Sequence, residues 1–197
     1  MRKARIAAFA LIAAGLTACQ DAGGNDSTRL TILLTDAPGD VLEAVVTISE
    51  IYLQGGDDST SAGGRITLRS QPVTTDLLTL ANSVATLVDS MAVPSGTYGQ
   101  LRFVIDGAYL KVDGASGPLV YSTAGYAGAP AQVDGDLKCP SCSQSGLKVT
   151  VPGGLEVQGN AQTIIVDFDV AESFGKEAGQ SGKWVMHPSL KAAKPAS

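Results

Sequence analysis

The stretch LRFVIDGAYLKV, residues 101–112, decides the fold of this chain. Apolar residues alternate with other residues from Leu101 to Ile105, which is the two-residue period of a strand with one buried face. After Gly107 the alternation resumes, shifted by one residue, up to Val112. A glycine inside a strand commonly marks a bulge or bend. We therefore predict one long strand that is distorted at Gly107.

Shorter segments of the same kind flank this strand on both sides. Turns rich in Gly and Pro separate them, and the chain holds 23 glycines, which disfavour helices. Residues 76–81 predict one short helical turn, with Thr75 or Asp76 as its N-cap. About nine short strands without a βαβ unit predict an all-β fold, an antiparallel β-sandwich. The flanking extended segments are 30–35, 42–54 with a bulge near Ser49, 65–69, 84–93, 119–122, 147–151, 155–158, 162–170 and 183–187.

The N-terminus has the features of an export signal. Basic residues at Arg2, Lys3 and Arg5 precede an apolar run of about nine residues, and small residues precede Cys19. The run is too short for a transmembrane helix, which takes about 20 apolar residues. The pattern resembles a bacterial lipoprotein signal, in which the Cys19 thiol carries the lipid. We predict a signal peptide at 1–18, a lipidated flexible tether at 19–28, a sandwich domain at 29–193 and a tail at 194–197.

Lipid on Cys19 predicts a membrane-anchored protein of the cell envelope. Two or more acyl chains hold a protein firmly on a membrane, whereas one binds only marginally. Gln20 lacks the charge of an inner-membrane retention signal, so we expect the outer membrane rather than the inner one. Removing the three basic residues of the signal takes the net charge from -5 to -8. Such an acidic body disfavours nucleic acid as a partner.

Cys139 and Cys142 form a CxxC pair among Gly, Pro and Ser residues. In an exported protein such a pair predicts a disulfide. A zinc site would need two further soft or imidazole ligands, and His187 is the one histidine of the sequence. A thioredoxin-like role would need the first cysteine at a helix N-terminus, whereas the composition predicts a turn. We expect a local disulfide that stiffens a loop.

Several carboxylates are candidate metal or catalytic residues. Asp36 and Asp40 flank a Pro-Gly turn whose carbonyl groups could complete a calcium site, although Asp36 could instead cap its own turn. Asp167 and Asp169 lie two apart on a strand, about 7 Å from each other at 3.3 Å per residue. They could act as the acid and nucleophile of a glycosidase, contribute to a calcium site, or simply form a solvated face. Calcium apart, we predict no cofactor.

Two tyrosines are candidate ligand contacts. Tyr121 and Tyr126 flank a loop, where tyrosines can stack on sugar rings or contact a protein partner; the alternative is packing at the strand end. His187 offers the one imidazole for a nucleophile and is expected at a strand end. We therefore predict no catalytic residues.

Four segments resemble a known bacterial lipoprotein domain. They are LTILLTDAP at 30–38, DLLTL at 76–80, PSGTY at 94–98 and FDV at 168–170. Together they are similar to the family named domain of unknown function 4382, over about residues 29–193. The resemblance implies a β-sandwich of the prealbumin or carbohydrate-binding-like kind. It implies no known activity, catalytic residue or cofactor, and the cysteine pair is not part of the family pattern.

These observations together predict a non-enzymatic envelope lipoprotein. Its sandwich is expected to bind a ligand, such as a glycan, or an envelope protein. Two alternatives are an extracytoplasmic glycan hydrolase that uses Asp167 and Asp169, and a purely structural envelope component.

Overall fold

Strands account for most of the chain that the computed structural model describes, namely residues 27–36, 41–55, 64–151, 154–174 and 183–193. Cys19, Asp40, the predicted signal peptide and the predicted tail lie outside these residues. The strands are β1 (Ser27–Thr35), β2 (Glu43–Gly55), β3 (Arg65–Arg69), β4 (Val73–Asp76), β5 (Ala85–Pro94), β6 (Gly96–Val112), β7 (Leu119–Ser122), β8 (Gly135–Lys138), β9 (Leu147–Val149), β10 (Leu155–Val157), β11 (Ala161–Phe168), β12 (Lys183–Val185) and β13 (Leu190–Ala193).

The strands form two sheets that enclose one apolar core, which confirms the all-β, sandwich-like fold. The smaller sheet has the order β13-β11-β1-β5. The larger has the order β12-β8-β7-β6-β2-β3, and β4 pairs with β2 while β9 and β10 pair with β6. The sheets are mixed, not purely antiparallel as predicted, because β1 pairs with β11, β7 with β8 and β8 with β12 in parallel. Alternation defines the faces of a strand but not the direction of its neighbour.

The core lies between the two sheets and follows the predicted alternation. Side chains from β1, β6 and β11 are almost completely buried there. Burial of one such side chain contributes roughly 1.5–3 kcal/mol to folding. The central members are Leu30, Ile32, Leu34, Leu101, Phe103, Ile105, Ile164, Val166 and Phe168.

Both predicted strand distortions are present, and they face each other. The register between β2 and β6 shifts around Ile48, so that Ser49 and Asp106 have no one-to-one partner in the ladder. Gly107 pairs with Thr47, next to the shift. A bulge bends its strand and changes the direction of nearby side chains. Asp106 is exposed as a result, between the buried residues Ile105 and Gly107.

Among the described residues, two short helices lie outside the sheets. The predicted helical turn is a 3-10 helix, Leu77–Leu80, and the Asp76 carboxylate caps it by accepting from the N–H of Leu78. A second helix, α1 (Val170–Phe174), replaces the predicted end of the strand at 162–170. The Asp169 carboxylate accepts a 2.9 Å hydrogen bond from the N–H of Glu172, and this cap begins the helix.

The start of β1 corrects the predicted end of the tether. Ser27 and Thr28 belong to the strand, and the Thr28 side chain is completely buried. Its hydroxyl donates a 2.8 Å hydrogen bond to the carbonyl of Gly159. No helix within the described ranges is long and apolar enough to cross a bilayer.

Candidate ligand-binding site

The loop between β7 and β8, residues 123–134, covers part of the outer face of β2 and β6. The Tyr126 ring lies so close to Gly107 that a Cβ atom at position 107 would overlap with it. The Tyr126 hydroxyl shares a 2.7 Å hydrogen bond with Oγ1 of Thr47, which shares another of 2.7 Å with Oγ1 of Thr74. Gly107, Thr47 and Thr74 thus hold the Tyr126 side chain against the sheet.

Both ends of this loop are fixed by hydrogen bonds. At its start, the N–H of Thr123 donates to the carbonyl of Ala108 over 2.9 Å. At its end, the N–H of Asp134 donates to the carbonyl of Val120 over 2.7 Å. The Asp134 carboxylate in turn accepts from the N–H of Val120 over 2.8 Å. The loop is therefore positioned by the sheet and not only by its own residues.

Two cavities adjoin this loop. The first has a volume of about 310 Å³ and is bordered by Tyr126, Pro130, Val133 and Asp136. The second has a volume of about 250 Å³ and is bordered by Asp106, Lys138, the cysteine pair and Ser143. Because Thr123 and Ala124 line both, we refer to the two cavities together as the loop cleft. It presents apolar, hydroxyl and charged groups side by side.

The cysteine pair borders the second cavity. The sulfur atoms of Cys139 and Cys142 lie at disulfide-bonding distance, and their Cα atoms are 5.6 Å apart. Cys139 is half-buried, whereas Cys142 is 4% exposed and part of the core. The carbonyl of Cys142 accepts a 3.0 Å hydrogen bond from the N–H of Ile105, at the bulge of β6. The pair thus occupies a turn, as predicted.

The two candidate tyrosines have different surroundings. Tyr121 is 5% exposed, and its ring packs against the Trp184 ring with the centroids 5.5 Å apart. This corresponds to the strand-end packing that was the alternative to ligand contact. Tyr126 is half-buried and lines the first cavity. A ligand-binding role for Tyr126 stays a prediction.

The fold brings together carboxylates that the sequence placed in separate sites. β1 and β11 are parallel neighbours, and Thr35 pairs with Asp167. Asp36 therefore lies near Asp167 and Asp169, and it is 5% exposed. Burial raises the pKa of Asp36 to about 7, although its hydrogen bond from the N–H of Val170 opposes this, and the negative charges of Asp167 and Asp169 raise the pKa further.

These carboxylates already have structural partners. Asp169 caps α1 and lies 3.9 Å from the Lys191 ammonium group, which also contacts Glu172 at 3.0 Å. One oxygen of Asp36 accepts from Val170, while the other is buried without a hydrogen bond. In the part of the chain that the structure describes, no three Asp, Glu, His or Cys side chains are arranged to hold a metal ion. Calcium at Asp36 and Asp40 stays a prediction.

Three charged residues of the loop cleft, Asp106, Lys138 and Asp136, were not anticipated from the sequence. Asp106 and Lys138 both border the second cavity. The predicted distortion at Gly107 was a usable signal for Asp106, because bulges expose side chains that a regular strand would turn elsewhere. Lys138 had no comparable signal, since β8 follows a loop without periodicity. His187 is exposed near a strand end, as expected.

Comparison with known proteins identifies a family but no characterised relative. A family model described as a domain of unknown function (DUF4382) matches residues 27–188, which is most of the chain. Neither a curated protein nor a solved structure matches this sequence.

Proposed function

Because the chain belongs to the DUF4382 family, whose function is unknown, we propose from its geometry that it is a non-enzymatic binding module of the cell envelope. The observation that carries this proposal is the loop cleft. A sheet-anchored loop with apolar and hydrogen-bonding groups around two adjoining cavities is typical of sites that hold a ligand in one orientation. A glycan or an envelope protein fits this chemistry, and calcium is the one cofactor to test.

The position of the module in the cell belongs to the same proposal. Lipid on Cys19 attaches the protein to a membrane, with the outer membrane preferred over the inner one. The signal and tether before β1 support this, together with a net charge that disfavours nucleic acid. The finer fold assignment, a prealbumin-like or carbohydrate-binding-like sandwich, also stays a proposal.

The cleft can be tested through Val133, which is 45% exposed and borders the first cavity. Val133→Glu places a charge on the cavity wall without disturbing the core. We expect the purified full-length protein to bind members of a glycan array and the variant to bind them about tenfold more weakly, a loss of about 1.4 kcal/mol. The matched control is Val84→Glu, because Val84 is 52% exposed and does not border the cleft.

A protein partner would require a second measurement at the same positions. A photo-crosslinking residue at position 133 should give a discrete adduct in cells, and the same residue at position 84 should not. The same crosslinking result at positions 133 and 84, together with no glycan binding, would contradict a function of the loop cleft. It would favour a purely structural role.

The hydrolase alternative rests on one observation. Asp36, with its raised pKa, lies near Asp167 and Asp169, and enzymes that use paired carboxylates separate their pKa values in this way. Against it, Asp36 is buried and Asp169 caps α1. Release of reducing sugar from any arrayed glycan, abolished in Asp169→Asn, would replace the binding proposal with this one.

A further inference from the structure

The turn that carries the cysteine pair is held together by its backbone. The N–H of Cys142 donates to the carbonyl of Cys139 over 3.4 Å, and the N–H of Gly146 donates to the carbonyl of Ser141 over 3.1 Å. The Arg102 guanidinium donates to the carbonyls of Ser145 and Gly146 over 3.1 and 3.0 Å. The first two bonds lie within the turn and those of Arg102 join it to β6, and none of them involves the sulfur atoms.

A covalent link therefore constrains this turn very little. The two cysteines are three positions apart, and the stabilisation from a disulfide grows with the length of the loop that it closes. Stability alone is thus a weak reason for the pair. The same backbone bonds allow the sulfur atoms to separate without unfolding of the turn.

The two cysteines differ in exposure, although both border the second cavity. Cys139 is half-buried beside the second cavity, while Cys142 is 4% exposed. Thiol–disulfide exchange requires an attacking thiolate to reach one sulfur, and the other leaves. This geometry favours attack on Cys139, with Cys142 as the leaving sulfur.

The charges around the cavity act on a thiolate at position 139 in both directions. Lys138 precedes Cys139 and borders the same cavity, and a neighbouring cation stabilises a thiolate. Two carboxylates oppose this effect: Asp136 lies 3.0 Å from the Lys138 ammonium group, and Asp106 borders the cavity.

We propose that Cys139 and Cys142 form an exchangeable disulfide that reacts with an external thiol through Cys139. The incoming thiolate forms a bond to the Cys139 sulfur, the bond between the two cysteines breaks, and Cys142 leaves as a thiolate that takes a proton from water. A second external thiolate then attacks the mixed disulfide. It releases the oxidised external disulfide and the Cys139 thiolate, so two electrons pass to the protein pair. This inference does not depend on the binding function.

The experiment uses the folded full-length protein with reduced glutathione, a small thiol, and reduced thioredoxin, a protein dithiol. Thiols are trapped by alkylation and located by mass spectrometry in the tryptic peptide 139–148, which separates them from Cys19. We expect reduction within minutes without denaturant, and an unchanged circular dichroism spectrum. Faster reaction with glutathione than with thioredoxin indicates a small thiol as partner, and the reverse order indicates a protein. Either order agrees with the proposal.

Variants test the direction of attack. Glutathione disulfide should modify Cys139 in Cys142→Ser about tenfold faster than it modifies Cys142 in Cys139→Ser. Lys138→Gln should slow the reaction at Cys139 by a few-fold, whereas Lys148→Gln, outside the second cavity, should not. A pair that is reduced only after unfolding in urea would overturn the proposal, and so would equal reactivity of the two cysteines. Reduction of the folded wild-type protein without denaturant tests the proposal even if a variant fails to fold.

Discussion

Asp36 illustrates what the sequence reveals about a single residue and what it leaves out. Asp36 lies an even number of residues after Leu30, Ile32 and Leu34, so alternation along β1 directs its side chain toward the buried face. We interpreted it instead as part of a turn, because Pro38 and Gly39 follow. Its proximity to Asp167 and Asp169 depends on the pairing of β1 with β11, which no local pattern encodes.

The raised pKa of Asp36 predicts a pH-dependent stability. The folded protein holds the proton up to about pH 7, while the unfolded chain releases it above the usual value of 3.8. The contribution of Asp36 to the free energy of unfolding should therefore fall as pH rises between these two values, by a few kcal/mol at most, and then level off. The lowered pKa values of Glu43, Glu50 and Glu172 act in the opposite direction in the acid range. Asp36→Asn should remove the Asp36 contribution alone and be more stable than the wild type at pH 8. Urea unfolding at several pH values measures both effects.

A matched control is available on the surface. Asp113 is exposed in the turn after β6, so Asp113→Asn removes a carboxyl group without touching the surroundings of Asp36. An Asp36→Asn profile parallel to the wild-type profile would contradict the assignment to Asp36.

Among the elements, β6 and the loop that covers it depend on each other at Gly107. The Cβ atom introduced by Gly107→Ala would overlap with the Tyr126 ring and displace it from β6. The backbone at position 107 does not have a positive φ, so this overlap is the expected cause of the cost. We expect a loss of about 1–3 kcal/mol, the usual cost of overpacking. Urea unfolding of the two single variants and of the double variant with Tyr126→Ala measures it. The cost of Gly107→Ala should be smaller in the Tyr126→Ala background, and additive effects would show that the ring is not the obstacle.

Alternation predicted most strands, the long β6 and its bulge, and the N-cap predicted the helical turn at 76–81, because each depends on neighbouring residues. The four-residue strands β4, β8 and β13 were missed, since VTTD, GDLK and LKAA show too little alternation of apolar residues. The helix α1 was missed because the buried positions 168 and 170 fit a strand equally well, and the Asp169 cap decided between the two. Of the residues that border the loop cleft, the sequence pointed to Tyr126 and the cysteine pair. The charged residues of the cleft come from strands that meet only in the folded chain.

For the whole molecule, the anchor is the central prediction. Cys19→Ser removes the thiol that would carry the lipid, so the precursor should keep its signal peptide and incorporate no labelled fatty acid. Gel mobility, metabolic labelling and membrane fractionation measure these effects. Cys142→Ser serves as the control, because a cysteine within the domain should not affect acylation. Normal labelling of Cys19→Ser would refute the lipoprotein assignment.

The parallel pairing of β1 with β11 has a consequence for the order of assembly. β1 is synthesised early, but the neighbour that covers one of its edges, residues 161–168, is made only after most of the domain. Closing such a long loop before any contact forms is slow. A nascent chain therefore has an uncovered hydrogen-bonding edge throughout its elongation, and we expect truncated products that lack β11 to aggregate or to be degraded.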